Sequence, residues 1–209
     1  GQLVGRRWCG ARGFAWCGAV DVPLAALAAR VRVPLERLGD MLADEFGLVG
    51  LVGADAIVDA ADAIHVVEIN PRPTASMELV ERATGESMVA AHLAACGVAP
   101  PPTPAAVGPQ SRAGWWAKAV VFAARAVVVD DSLAAALADH AARWSDTDRG
   151  WPARADLPGA GSSIAAGRPV LTAFAVGRDA AAALRTLHGR VTAVRRILRA
   201  GLSPPGGAA

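Results

Sequence analysis

The sequence predicts an α+β fold built in two parts. With 53% hydrophobic residues in 209, the chain can bury a substantial core. Near residue 35 the apolar residues follow helical spacing, and between residues 48 and 69 they form two β-branched runs typical of a hairpin. A proline-rich stretch then precedes a second group of strands and helices. We therefore expect an antiparallel sheet with helices, followed by a small β-rich domain with a closing helix.

The first helix is predicted from the segment "VPLERLGDMLADEFG". Its apolar residues fall on one helical face, Pro34 suits a first-turn position, and Gly47 suits the end of the helix. The runs "LVGLVGADAIV" and "IHVVEI" follow, separated by "DAADA", and predict a hairpin of largely buried strands that ends at Asn70, before Pro71. Helices are predicted next over residues 74–84 and 86–96.

The second part has its own set of predicted elements. They are a hairpin in "WWAKAVVFAARAVVV", a helix in "SLAAALADHAARW", a strand in "GRPVLTAFAVG" and a final helix over residues 179–199. Asp179 is the expected N-cap of that last helix. The predicted organisation is a first part at 1–97, a proline-rich linker at 98–112, a small α/β domain at 113–200 and a disordered tail at 201–209.

Composition bears on partners and location. The formal charge is only +2, and the 20 arginines are scattered along the sequence beside one lysine, so we expect no nucleic acid partner. No window approaches the roughly 18 apolar residues of a membrane span, so we expect no membrane partner. Three cysteines do not form a disulfide framework, which favours a cytoplasmic location.

Polar residues interrupt the predicted hairpin at three places. If Asp59 lies opposite Ile64, then Asp55 lies opposite Glu68, and Asn70 shares the face of Glu68. Two opposed carboxylates repel each other, and an all-oxygen cluster suits Mg²⁺ or Mn²⁺. The alternative is that Asp55 and Glu68 are solvated and Asn70 makes an Asx-type turn.

Arg72 follows this cluster, just before the helix expected to start at Thr74. A guanidinium beside a helix N-terminus can bind an anion such as phosphate. The alternative for Arg72 is a surface arginine. Metal ligands next to an anion-binding arginine indicate phosphate chemistry.

At these residues the sequence resembles the C-terminal half of an ATP-grasp domain. In that superfamily an acid on one strand precedes an E-x-N on the next, and here Asp55 precedes "EIN" by 13 residues. The segment "NPRPTASMELVERATG" is similar to the NPR-x-TAS form of a bacterial subgroup of predicted ATP-grasp carboligases, some of them linked to pterin-dependent one-carbon metabolism. The resemblance extends from "QLVG" to "GRPVLTAFA".

The resemblance implies roles for these residues. Asp55, Glu68 and Asn70 would be the metal ligands, Glu68 and Arg72 would contact the cofactor ATP, and Arg72 would be the catalytic residue at an acyl phosphate. The implied activity is that of an ATP- and Mg²⁺-dependent carboxylate-amine ligase, with a small-molecule carboxylate as substrate. The nucleophile could also be a group similar to an amine.

The resemblance also implies that the activity needs more than this chain. ATP-grasp enzymes carry a lid with phosphate-binding lysines, whereas this sequence has only Lys118, beyond the linker. We therefore expect a fragment that is completed by an N-terminal half, in cis or in trans. The alternative is a non-catalytic nucleotide-binding, metal-binding or interaction module. Homodimerisation stays open.

His92 and Cys96 are four residues apart on a predicted helix and could share a zinc ion. The sequence offers no further ligands at suitable spacing, which favours ordinary packing.

Overall fold

The computed structural model describes residues 1–98, 114–142, 144 and 151–201. Apart from residues 98 and 201, the predicted linker at 98–112 and tail at 201–209 lie outside this described part. The helices are α1 (Ala29–Phe46), α2 (Met77–Thr84), α3 (Met88–Ala95), α4 (Asp131–Ala142) and α5 (Ala180–Ala200). The strands are β1 (Gln2–Val4), β2 (Trp16–Val20), β3 (Gly53–Val58), β4 (Ile64–Asn70), β5 (Trp115–Phe122), β6 (Val127–Val128), β7 (Arg154–Ala155), β8 (Ser163–Ile164) and β9 (Pro169–Gly177). The predicted α+β class, with an antiparallel sheet and helices, is confirmed.

The chain forms two compact units, which we call unit 1 and unit 2. Unit 1 comprises Gly1–Asp21 and the chain from Gly114 onward, and unit 2 comprises Val22–Ala113. The sequence-based division placed residues 1–97 in one part. In the structure β2 pairs with β5, and this pairing places the first 21 residues with the later part of the chain.

Unit 1 is organised around an antiparallel sheet with the strand order β1-β2-β5-β9-β7. The central strand β5 is buried along most of its length because β2 and β9 flank it on its two sides. Helix α5 packs against β5 and β9. The core therefore lies between the sheet and α5.

Helix α5 begins as the sequence predicts. The carboxylate of Asp179 accepts a hydrogen bond from the backbone N–H of Ala182 at 2.7 Å, which satisfies one of the free donors of the first turn. Leu187, Val191 and Val194 then recur on one face of the helix and are fully buried.

The hairpin predicted in "WWAKAVVFAARAVVV" is wrong. Strand β5 is present, but β6 pairs with β8 and not with β5. After β5 the backbone of Ala123 exchanges two hydrogen bonds with the segment before β9, at 2.9 Å with Arg168 and at 2.7 Å with Gly167. The alanine-rich connection has no Asn-Gly or Gly-Gly pair to form a tight hairpin turn, so β5 pairs with β9 instead.

A buried arginine joins β7 to α4 in unit 1. One nitrogen of the Arg154 guanidinium donates to the carbonyl of Leu137 at 3.2 Å, and another lies 2.6 Å from Nδ1 of His140. The guanidinium also stacks on the ring of Trp144, with 4.9 Å between the guanidinium carbon and the ring centroid. Burial and, to a smaller extent, the nearby Arg190 together lower the pKa of Arg154 to about 10.

Unit 2 starts with α1, which is longer than predicted. The helix begins at Ala29, so Pro34 lies in its second turn and not in its first. Alanine and arginine are good helix formers, and the ion pair between Arg32 and Glu36, at 2.8 Å, spans the position of the proline. The predicted end is confirmed, because Gly47 adopts the left-handed conformation.

Helices α2 and α3 begin later than predicted. Thr74 precedes α2 in a turn, where its hydroxyl hydrogen-bonds to the hydroxyl of Ser76 at 2.9 Å, and the helix begins at Met77. Helix α3 begins at Met88 because the Ser87 hydroxyl accepts from the N–H of Ala90 at 3.3 Å and so acts as the N-cap. The expected starts at residues 74 and 86 are therefore wrong by two to three residues.

All three cysteines are free thiols. Cys9 and Cys17 are buried in unit 1 and Cys96 is exposed in unit 2. Burial raises the pKa of Cys9 to about 11. Within the described ranges, none of the helices combines the length and the apolar character that crossing a membrane requires.

We expect the contact between α5 and the sheet to dominate the stability of unit 1. Replacing the fully buried Leu187 by alanine leaves a cavity beneath the helix, so Leu187→Ala should lower the free energy of unfolding by about 2–5 kcal/mol in urea titrations. Leu187→Met preserves the volume and should cost less than about 1.5 kcal/mol. Equal losses in the two variants would contradict this picture of the core.

Candidate functional site

The polar residues predicted to form a site lie on the β3–β4 hairpin of unit 2. The two strands are antiparallel, and Asp55 is the register partner of Glu68, as the sequence predicts. Asn70 is the partner of Gly53, two positions further along the same ladder. Residues two apart on a strand share a face, so Asp55, Glu68 and Asn70 lie on one face of the hairpin.

The register that produces this pairing differs from the predicted one. Val58, not Asp59, lies opposite Ile64, and the ladder shifts by one residue between Asp55 and Ala56. This shift is a β-bulge that places Val67 as an extra residue on β4. The bulge restores the pairing of Asp55 with Glu68 that the one-residue difference at the turn would otherwise have removed.

The turn of the hairpin is held by Asp59. One carboxylate oxygen accepts from the backbone N–H groups of Ala61 at 2.8 Å and Ala63 at 2.9 Å. The other lies 3.0 Å from Nε2 of His65, and these three hydrogen bonds, led by that to His65, keep the pKa of Asp59 below its usual value. Asp62 has a positive φ of 63° and forms an ion pair with Arg30 of α1. The turn is thus held by residues other than Asp55, Glu68 and Asn70, whose shared side of the hairpin we call the polar face.

Arg72 lies beside Asn70 and is hydrogen-bonded to it. Its Nη2 donates to the side-chain oxygen of Asn70 at 3.2 Å, and its Nη1 donates to the carbonyl of Pro73 at 3.2 Å. The backbone N–H of Arg72 also donates to the carbonyl of Asn70 at 2.8 Å. The expected position at a helix start is wrong, because α2 begins at Met77, five residues after Arg72. The orientation of Arg72 comes from Asn70 and Pro73.

The loop after β4 packs closely against the start of β3. A Cβ on Gly53 would lie 2.5 Å from Cγ2 of Thr74, so a larger residue at this position would require the Thr74 side chain to move. The close approach keeps the segment that carries Arg72 against the end of the hairpin where Asn70 lies.

The hairpin is more exposed than the sequence predicts. Val66 is 48% exposed and Val67 is 64% exposed, whereas the apolar pattern predicts burial of these positions. Glu68 is exposed as well, and Asp55 and Asn70 are partly buried. The bulge and the few neighbours of the two-stranded sheet account for the difference, since a two-stranded ribbon buries little surface by itself.

The donor set contains oxygen only. It has two carboxylates and one carboxamide, which are the ligand types that Mg²⁺ and Mn²⁺ prefer. Among the described residues, no three or more His, Cys, Asp or Glu side chains are grouped to hold a metal ion, so the set on the hairpin depends on the amide of Asn70 as its third donor.

His92 and Cys96 have a packing role. The N–H of Leu51 donates to Nδ1 of His92 at 3.0 Å, so one ring nitrogen is already used. A Cβ on Gly50 would lie 2.4 Å from the same nitrogen, which shows how closely the ring packs on this loop. The sulfur of Cys96 lies 4.0 Å from Nε2 of His92. The expectation of ordinary packing fits these contacts.

An arginine-lined cavity in unit 1 was not predicted from the sequence. Arg7, Arg12 and Arg195 line an open cavity of about 450 Å³. Two of these residues lie near the start of the chain and the third lies on α5, so no local pattern could bring them together. The repeated glycines in "GRRWCGARG" were the signal for an unusual backbone at this place.

Comparisons with known proteins agree with the predicted fold. Residues 10–76 match the ATP-grasp domain family. No curated protein sequence matches the chain. Among solved structures, N5-carboxyaminoimidazole ribonucleotide synthetase in its ADP complex is 16% identical, with a TM-score of 0.56, and the match covers 88% of this chain and 42% of that protein.

Two further structures show the same likeness. Carboxyaminoimidazole ribonucleotide synthase from Aspergillus clavatus, complexed with ATP, is 13% identical with a TM-score of 0.53, and the match covers 88% of this chain and 43% of that protein. The phosphoribosylaminoimidazole carboxylase ATPase subunit from Aquifex aeolicus is 15% identical with a TM-score of 0.54, with coverages of 88% and 47%. The chain thus spans less than half the length of these three proteins. Residues 10–76 thus match the ATP-grasp domain family, and the chain shares its fold with these three structures.

Proposed function

We propose that the chain is the metal- and nucleotide-binding part of an ATP- and Mg²⁺-dependent ligase. The reaction would activate a small-molecule carboxylate as an acyl phosphate, which an amine or a similar nucleophile then attacks. The observation that carries the proposal is the single face of the hairpin on which Asp55, Glu68 and Asn70 lie, with Arg72 hydrogen-bonded to Asn70. The similar structures include a synthetase in complex with ADP and a synthase in complex with ATP, which supports the choice of cofactor.

The proposed metal ligands are Asp55, Glu68 and Asn70. Directly opposed carboxylates are unfavourable unless a cation lies between them, and the oxygen-only set fits Mg²⁺ or Mn²⁺. Such an ion would neutralise charge on the phosphate oxygens of ATP. Asn70 can bind the metal ion and Arg72 at the same time, because its amide oxygen has two lone pairs and Arg72 uses one of them.

Arg72 is the proposed catalytic residue, and with Glu68 it forms the proposed contact to ATP. Its guanidinium is exposed and already oriented by Asn70 and Pro73, so binding a phosphate oxygen needs little further ordering of the side chain. A fixed guanidinium stabilises the charge that develops on a transferred phosphoryl group. Its fork would also hold that group in a defined orientation when ATP is bound.

The proposed activity needs a partner segment. The chain spans less than half of the similar structures, and its one lysine, Lys118, is buried in β5 and so is poorly placed to reach a bound phosphate. We propose that an N-terminal half, in cis or in trans, supplies the lid and its phosphate-binding lysines. The buried position of Lys118 is also what favours the alternative, a non-catalytic nucleotide-binding, metal-binding or interaction module.

The metal proposal predicts a specific effect of Glu68→Gln. This change removes one of two opposed carboxylates, so the affinity for Mn²⁺, used as a probe for Mg²⁺, should fall by about tenfold or more in titration calorimetry, or about 1.4 kcal/mol. Folding should be unchanged or slightly improved, since a repulsion is relieved. Glu45→Gln, the same change at an exposed position of α1, is the control and should leave the affinity unchanged. A large loss of stability in Glu68→Gln with unchanged Mn²⁺ affinity would refute the metal site.

A second prediction concerns catalysis. Phosphoryl transfer depends mainly on positioning and charge stabilisation, so the 209-residue chain alone should bind ATP weakly and release no ADP. The full reading frame that contains this chain, or the N-terminal half added in trans, should restore ADP release that requires both Mg²⁺ and a carboxylate. Substrate-stimulated ADP release by the chain alone would disprove the need for a partner segment. A completed protein that stays inactive with every carboxylate tested would favour the non-catalytic module.

A further inference from the structure

The arginine-lined cavity of unit 1 has a wall made of bare backbone. Gly5 has a φ of +59°, and a Cβ there would lie 2.1 Å from the carbonyl oxygen of Gly13. Gly10 has a φ of +90°, and a Cβ there would lie 2.8 Å from the carbonyl oxygen of Phe122. Side chains at these two positions would strain the backbone and collide with the carbonyl groups of Gly13 and Phe122. The glycines therefore keep the loop tightly folded around the cavity of about 450 Å³.

One of the three arginines is fixed in place. Nη1 of Arg195 donates to the carbonyl of Arg7 at 2.9 Å and to the carbonyl of Trp8 at 2.8 Å. A guanidinium has five N–H groups, and these two hydrogen bonds use one of its three nitrogens. The loop of residues 5–13 thus holds Arg195 at the cavity, while Arg7 and Arg12 extend from the loop itself and are exposed.

The basic surface continues beyond this cavity. Arg195 also lines two further hollows beside this cavity. One of them is lined by Arg125 and Arg199 as well, and the other by Arg196. No Asp or Glu is among the described residues that line the three hollows. The positive charge in the cavity is therefore not neutralised by a carboxylate in its lining.

The charge of the chain is divided unevenly between the two units. Unit 1 contains 15 of the 21 basic residues and 8 of the 19 acidic residues, whereas unit 2 contains 6 basic and 11 acidic residues. The formal charge of +2 is therefore the sum of a basic unit and an acidic one. A basic unit raises the local concentration of anions at its surface.

We propose that this cavity binds a small molecule through a phosphate group, as a phosphomonoester or a diphosphate. Several guanidinium forks around one space match the many acceptor oxygens of a phosphate. The volume lies within the range of small-molecule sites, about 300–1,000 Å³. The concave shape favours a small ligand over nucleic acid.

The site is formed by unit 1 alone and does not rest on the proposed ligase activity. The proposed metal ligands belong to unit 2, so each site can be tested without the other. A buffer with EDTA removes divalent metals and leaves the arginines as the phosphate-binding groups.

The test is titration calorimetry of the 209-residue chain with pyrophosphate and with inorganic phosphate in EDTA. We expect saturable binding of pyrophosphate, stronger than that of inorganic phosphate. Arg12→Ala, a change at an exposed position that should not affect folding, should weaken binding by about tenfold, which corresponds to about 1.4 kcal/mol. Arg195→Lys keeps the charge but loses the planar fork, and it should also weaken binding.

The matched control is Arg185→Ala, which removes the same charge from an exposed position of the same helix outside the three hollows. It should bind pyrophosphate as the unchanged chain does, and circular dichroism should show that all variants are folded. Equal weakening in Arg185→Ala and Arg12→Ala would show general charge attraction and would overturn the proposal. Absence of saturable pyrophosphate binding would also overturn the proposal. Two further ligands test its specificity, and the proposal fails if citrate binds as tightly as pyrophosphate or if a DNA oligonucleotide binds more tightly.

Discussion

The polar face of unit 2 depends on the hydrogen-bond ladder between β3 and β4, which holds Asp55 and Glu68 opposite each other although their charges repel. Side-chain attraction cannot produce this arrangement, so the backbone must impose it. At one end of the hairpin the carboxylate of Asp59 closes the turn through the backbone of the loop. At the other end Gly53 allows the loop after β4 to lie against the strand. Two fixed ends leave the ladder little freedom to slide, so Asp55 and Glu68 stay opposite each other.

Much of the fold could be predicted because its signals are short-range. The start of α5 at Asp179 and the end of α1 at Gly47 follow from capping chemistry that involves only neighbouring residues. The pairing of β2 with β5 could not be predicted, because nearly a hundred residues separate the strands and neither has a pattern that specifies its partner. The extension of α1 past Pro34 was missed for a related reason. Proline is on average most favourable in the first turn of a helix. Here an ion pair and good helix formers outweigh that preference.

The candidate site, too, could be predicted only where local sequence patterns specify the structure. The assumed pairing of Asp59 with Ile64 led to the correct pairing of Asp55 with Glu68, although the assumed turn was one residue too short and no bulge was predicted. A bulge adds one residue without a distinctive sequence signal, so strand patterns rarely reveal it. The position of Arg72 beside Asn70 followed from their spacing, whereas its distance from α2 depended on a three-residue turn that helix propensity does not specify. The cavity around Arg195 joins segments from both ends of the chain and required the tertiary structure.

The distribution of the thiols has a practical consequence. Cys9 and Cys17 are enclosed in unit 1, and with its pKa raised to about 11 by burial, Cys9 is almost entirely protonated at neutral pH. Cys96, at the end of α3, is exposed. A maleimide dye should therefore react at Cys96 first, without any engineered cysteine. The native chain thus carries its own attachment point for a fluorophore or spin label on unit 2, the unit that contains the polar hairpin.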